Sequence, residues 1–171
     1  LRMKKLTNTL MLAAMNPTAG SFYVIDRLQR HFCTIATPFP EAEVLAHIYR
    51  NIMGGHFSVF SESIKNATVA LVGCAVAIHL QVADAFVPSA IKFHYQWNLR
   101  ALAAVFQGLV ITSPATHKQP MQVSRLLLHE ATRVYSDRMI VLSDCEKFTE
   151  IMLTNAEKHP SAARSYDERV A

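Results

Sequence analysis

The order of apolar patterns predicts the end of an α/β domain joined to a helical one. Two short apolar runs, Thr9 to Met15 and Cys33 to Thr37, are each compact enough for a buried strand. Every later apolar pattern recurs at helical spacing, so strands and helices are segregated along the chain. A length of 171 residues with 51% hydrophobic content is enough to build a real core from those patterns.

The first strand stops at Asn16, where Pro17 and Gly20 force a turn. An amide there is well placed to meet a ligand, because open α/β sheets bind at the carboxyl ends of their strands. Arg27 and Arg30 follow at i and i+3 on one side of a short helical turn. On residue types alone, these are a turn residue and a solvated or salt-bridged face. Pro38 and Pro40 close the second strand. Pro40 fits the first turn of a helix, and Glu41 and Glu43 suit its positive end. Val44, Leu45, Ile48, Tyr49 and Ile52 keep helical spacing until Gly54-Gly55 stops them.

A longer helix is expected from about Ser61 to Ala85, with Ile64, Ala67, Leu71, Ala75, Ile78 and Val82 on one face. Its apolar middle, Ala67 to Ile78, is shorter than the roughly 18 residues a membrane span needs, which makes it a core helix. Pro88 breaks the chain, and Phe93 to Trp97 form an aromatic-rich linker. Asn98 caps a helix from Leu99 to Gln107, ended by Gly108. Past the polar loop Thr112 to Gln119, Pro120 opens a helix with Val123, Leu126, Leu127, Ala131 and Val134 inward. Ser143 and Glu146 make a capping box for a last helix that buries Phe148, Ile151 and Met152. From Pro160 the polar tail has little to bury and frays. The division expected is therefore 1–58, 59–159 and a tail over 160–171.

Charge and cysteine usage exclude several functions. A net charge of +4 hints at an anionic partner, yet the 17 Lys and Arg are scattered without the dense run of a nucleic-acid arm. Cys33, Cys74 and Cys145 form no CxxC pair and read as reduced thiols of an intracellular protein. Arg2, Lys4 and Lys5 before an apolar stretch mimic a signal peptide. No small-residue cleavage site separates that stretch from Asn16-Pro17, so it reads as a strand of a longer chain. His129-Glu130 opens an HExxH-like motif, but position 133 is Arg and the second zinc ligand is missing. Cys33 near His31 lacks a placed third group and reads as a buried structural thiol, and His31 and His94 as packing or hydrogen-bonding residues. Phe93, Tyr95 and Trp97 alternate as base-stacking residues do, but packing is the simpler use.

The run Met15-Asn16-Pro17-Thr18-Ala19-Gly20-Ser21-Phe22, with Arg27-Leu28-Gln29-Arg30-His31-Phe32 after it, carries a family likeness. It resembles the third AAA+ module of dynein heavy chains, most closely the axonemal ones. Lys92-Phe93-His94-Tyr95 with Asn98-Leu99-Arg100 and Phe106-Gln107-Gly108 match a second block of that family. Leu128-His129-Glu130, Arg133-Val134-Tyr135 and Asp137-Arg138 match a third. The blocks stand in the family's order and span most of residues 10 to 140.

The resemblance implies the last strands of a AAA+ P-loop NTPase core followed by a helical lid. It also implies roles. Asn16 is the sensor-I amide, Arg100 is the sensor-II residue reaching the phosphates from the lid, and Arg30 is the arginine finger serving a neighbouring module, with Arg27 as alternate. Phosphoryl transfer is mainly charge stabilisation, and a finger contributes about 10³–10⁵ in rate in related systems. ATP or ADP with Mg²⁺ is the implied cofactor, in a complete module only. This sequence has no GxxxxGK[ST] and no strand ending in Asp-Glu, so the chain alone is expected not to hydrolyse ATP. The implied partners are neighbouring AAA+ modules and, through other parts of the parent, dynein intermediate and light chains and microtubules; no nucleic acid or membrane is expected. The implied setting is a minus-end-directed motor in the cytoskeleton of a cilium or flagellum, with a regulatory rather than fast-turnover nucleotide. Ile25-Asp26 in place of Asn-Pro, Glu41 in place of Gly and Ala101 in place of Asp depart from the family pattern. The alternatives are a module of another AAA+ ring ATPase, or a helical interaction domain that kept the fold and lost the chemistry.

Overall fold

The computed structural model describes residues 7–15 and 24–158. The chain divides into two compact units at the Phe39/Pro40 junction. In the first unit, the regular structure among the described residues is one helical turn, α1 (Asp26–Gln29). Neither expected strand is assigned there. Residues 7–15 and 33–39 carry no regular structure, and Leu12 and Ile35 are 89% and 81% exposed. The physical reason is that a strand is made by its ladder: an apolar segment with no neighbour to pair with stays open. Cys33 is accordingly exposed rather than buried. The α/β character expected of this end is therefore without a strand among the described residues.

The second unit is helical: α2 (Ala42–Phe57), α3 (Glu62–Ala85), α4 (Leu99–Val110), α5 (Pro120–Tyr135) and α6 (Leu142–Lys158), with a short 3₁₀ turn, Ser136–Arg138, after α5. Helix α3 is the axis. It packs against α2 on one side and against α5 and α6 elsewhere, while α4 lies mainly on α5. By length and composition α3 is long enough to cross a membrane, so the sequence argument from its short apolar middle does not hold. Its use here is internal: Ile64, Leu71, Cys74, Ile78 and Val82 are each 1% exposed or less.

Burial overrides the two glycine stops. Helix α2 runs through Gly54-Gly55 to Phe57 because Met53 and Phe57 are both buried in the core. Burying two such side chains contributes about 1.5–3 kcal/mol each, against a propensity cost of about 1 kcal/mol per glycine. Likewise α4 passes Gly108 to bury Leu109. Two caps behave as the sequence implies. Asn98 Oδ1 accepts from the amides of Arg100 (3.0 Å) and Ala101 (3.3 Å), and Pro120 opens α5. That start also carries a reciprocal Gln119–Gln122 capping box, with Gln122 Oε1 accepting from the Gln119 amide at 3.1 Å. The expected Ser143–Glu146 box is absent, since α6 begins at Leu142 and the Val141 carbonyl accepts from the Asp144 amide at 3.0 Å. Pro40 lies just outside α2, whose N-cap is Glu41.

Buried polar pairs fix the helix register. His79 Nδ1 and Tyr135 Oη share a hydrogen bond of 2.9 Å between α3 and α5. Asn155 and Gln81 exchange amide hydrogen bonds of 2.9 and 3.2 Å between α6 and α3. The Tyr49 and Phe106 rings stack at 4.0 Å between α2 and α4.

Candidate functional site

The linker between α3 and α4 is held down by its aromatic residues. Tyr95 is buried; its hydroxyl donates to Asp144 Oδ2 (2.8 Å) and accepts from the Ile140 amide (3.2 Å). Lys92 Nζ reaches the same carboxylate oxygen at 2.5 Å. The hydrogen bond from Lys92 holds the Asp144 carboxyl below its ordinary range and, reciprocally, holds the ammonium above its own. Trp97 Nε1 donates to the Phe86 carbonyl at 2.9 Å. Two of the three alternating aromatics thus pack, while Phe93 is exposed.

Pinning the linker fixes where α4 starts, and with it Arg100. Asn98 is the cap, so Arg100 sits in the first turn, and no acidic residue shares that turn. A cation at the positive end of a helix opposes the macrodipole by about 0.3–1 kcal/mol. Arg100 is exposed, and its guanidinium has no hydrogen bond or ion pair among the described residues. A carboxylate partner for Arg100 is therefore not found among the described residues.

Arg100 lines an open groove of about 600 Å³ together with His94, Asn98, Arg133 and Arg138. No Asp or Glu is among the described residues lining it. Arg133 is partly neutralised, since its Nε and Nη2 both donate to Glu130 Oε2, at 2.9 and 2.7 Å. Arg138 is braced rather than paired. Its Nη2 donates to the His94 carbonyl (3.1 Å), His94 Nε2 bonds the Arg138 carbonyl (3.0 Å), and its guanidinium lies 4.9 Å from the Trp97 ring centroid. Sequence reasoning gave neither Arg133 nor Arg138 a role. The signal available was their position beside the buried Tyr135, where a helix end brings both onto one side.

The groove's chemistry fits the phosphate part of a nucleotide: two guanidinium groups without a carboxylate partner, the positive end of a helix dipole, and no Asp or Glu among the described lining residues. For a metal the fit is poorer, because no group of three or more His, Cys, Asp or Glu side chains able to hold one occurs among the described residues. Glu130, next to His129 in the HExxH-like string, is spent on Arg133.

The remaining candidates lie in the first unit. Arg27 and Arg30 are exposed; Arg30 closes the α1 turn, its amide donating to the Asp26 carbonyl at 3.1 Å, and its Nε bonds His31 Nε2 at 3.3 Å. Asn16 lies outside the described residues.

Residues 71–162, which begin within α3, match a known family model, the AAA+ lid domain. The chain belongs to that family. Residues 1–40 match a second model, the P-loop containing dynein motor region. Over 92% of its length the chain is 42% identical to the dynein beta chain of the flagellar outer arm of Chlamydomonas reinhardtii. It is likewise 42% identical to the ciliary dynein beta chain of Tripneustes gratilla and 41% identical to human dynein axonemal heavy chain 17, again over 92%. The chain is thus a homologue of axonemal dynein heavy chains and covers about 4% of the length of each of these relatives.

Proposed function

We propose that this chain forms the sensing part of a nucleotide site in a dynein heavy-chain AAA+ module, the third of the ring. Arg100 is the sensor-II cation, Asn16 the sensor-I amide, and Arg30, with Arg27 as alternate, the finger offered to a neighbouring module. The observation that carries the reading is Arg100 itself. It stands unpaired among the described residues at the positive end of α4, in a groove lined by cations. That arrangement costs stability until an anion arrives; because Asn98 already holds the amides of Arg100 and Ala101, the anion is met by guanidinium groups and the positive end of the helix dipole.

In a complete module that anion is the phosphate chain of ATP or ADP with Mg²⁺. The nucleotide supplies the negative charge; this chain's residues orient and sense it. Losing the terminal phosphate weakens the hold on Arg100 and changes the preferred angle of the helical unit. That change is the allosteric signal passed to adjoining modules of a minus-end-directed microtubule motor, acting in the axoneme of a cilium or flagellum. The exposed apolar segments of the first unit support this reading, because Leu10, Met11, Leu12 and Ile35 are the side chains a completed sheet would cover.

The test is made in a heavy chain carrying this module. Arg100→Ala should weaken nucleotide binding at this module at least tenfold, while Arg30→Ala should leave that binding unchanged and slow turnover in the adjoining one. Unchanged nucleotide affinity in the Arg100 variant would refute the assignment. The interaction-domain alternative is favoured by one feature, the half-exposed stripe Val44, Ile48 and Ile52 along α2; a parent gene lacking GxxxxGK[ST] upstream would turn the choice to it.

A further inference from the structure

We propose that Arg138 is a second phosphate-binding residue, forming with Arg100 a two-sided clamp for a polyphosphate chain. The inference rests on the reading of the Arg100 groove as phosphate-facing, but its evidence is separate. Arg100 enters the groove from the first turn of α4, and Arg138 from the 3₁₀ turn after α5. They approach from different elements, as a clamp requires.

Arg138 is also pre-organised. The reciprocal bonds with His94 fix its backbone and one guanidinium nitrogen, and Trp97 lies against the guanidinium. Trp97 is itself fixed by the Phe86 carbonyl. A surface arginine normally loses rotamer freedom when it binds; here most of that loss has already been met by folding. One donor goes to His94, and none of the others meets a carboxylate among the described residues. Arg133, half-neutralised by Glu130, adds positive potential without being required as a ligand.

The chemistry named is a chain of two or three phosphates, either the tail of a nucleotide or a free polyphosphate. The experiment titrates the full chain with sodium tripolyphosphate and, separately, with ATP, by calorimetry at low salt. Variants are Arg138→Ala, Arg138→Gln, Arg100→Ala and, as a remote cation, Lys65→Ala. Thermal unfolding checks the fold of each. Arg138→Gln keeps a donor for the His94 carbonyl, which guards against simple loss of the brace.

Expected for both Arg138 variants is a loss of affinity of about tenfold to a hundredfold, the range for a charge-assisted hydrogen bond. Lys65→Ala should change it less than twofold. If Arg100→Ala weakens binding and the Arg138 variants do not, the clamp is wrong and the sensor reading survives. If only the Arg138 variants weaken it, Arg138 binds phosphate alone, and both the two-sided clamp and the sensor reading fail. Equal losses in all variants, Lys65→Ala included, would mean diffuse charge and overturn the clamp. So would no binding by the unsubstituted chain at millimolar ligand. Tighter binding of ATP than of tripolyphosphate assigns the anion to a nucleotide; equal binding assigns it to a free polyphosphate, with the same clamp.

Discussion

Replacing Gly108 by Ala tests how α4 and α5 fit together. A Cβ at this position would lie 2.3 Å from Glu130 Oε2, 2.4 Å from its Cδ and 2.6 Å from its Cγ. All three atoms belong to a side chain that is itself buried, so Glu130 must swing away from α4. In moving it gives up the two hydrogen bonds from Arg133. Arg133 is half exposed, so the lost ion pair contributes no more than about 1 kcal/mol. Overpacking adds about 1–3 kcal/mol, and the better helix propensity of alanine offsets about 1 kcal/mol. The net expectation is a destabilisation of about 1–3 kcal/mol, read as a lower urea midpoint by circular dichroism. Made in an Glu130→Ala background, the same Gly108→Ala change meets no carboxylate and should stabilise by up to about 1 kcal/mol. That reversal of sign is the diagnostic result. A neutral or stabilising effect in the unaltered chain would show that Glu130 does not lie over Gly108.

The other predictions concern the buried polar pairs and one surface. Tyr135→Phe leaves His79 Nδ1 buried without its partner and should cost about 1–3 kcal/mol in denaturant unfolding. Burial lowers the His79 pKa from the ordinary 6.5, so the folded state binds this proton later than the unfolded one. The stability it contributes is complete above about pH 6.5 and falls as the pH drops through the lowered folded value, which urea midpoints at pH 7.5 and 5.5 should reveal. The Asp144 carboxyl is shifted in the same direction, held down chiefly by the hydrogen bond from Lys92. Its folded pKa is depressed, so its contribution is present above the ordinary carboxylate range and lost as the pH falls below it. Asp144→Asn, which keeps an acceptor for Tyr95 but loses the charge facing Lys92, should remove that low-pH component and destabilise less than Asp144→Ala. Finally, Ile48→Lys on the exposed α2 stripe should change stability by no more than about 0.5 kcal/mol, read as a nearly unchanged urea midpoint.

Sequence patterns made the helical unit legible wherever local chemistry and tertiary burial agree. Asn98 and Pro120 start their helices as expected, because cap and apolar face point the same way. They fail where the two conflict. Gly54-Gly55 and Gly108 look like stops, yet Met53, Phe57 and Leu109 draw the helices onward. The Ser143 box fails differently: Asp144 belongs to a contact with Lys92 and Tyr95, about fifty residues away, which no local window contains. The two strands show the limit most plainly. Their apolar pattern states what they should be buried against, but a ladder needs a second chain segment, and pattern alone cannot supply it.

The candidate site follows the same division. Arg100 was identifiable because it sits inside a family block, and its structural position adds something the block does not contain. A local rule is broken there, with a cation placed at a helix start and no acid nearby. Sequences that specify one fold tend to keep local and global preferences aligned, and departures concentrate where function demands them. Arg138 also sits inside a family block, Asp137-Arg138, but breaks no local rule; its significance comes only when Trp97 and His94, more than forty residues earlier, brace its guanidinium at the groove. The aromatic linker therefore does two jobs with one geometry. Through Tyr95 and Asp144 it fastens α6, and through Trp97 and His94 it presents Arg138 beside Arg100. Loosening the linker should then reduce anion affinity and stability together, whereas Arg100→Ala should reduce affinity while relieving the unfavourable charge at the α4 terminus, and so raise stability slightly.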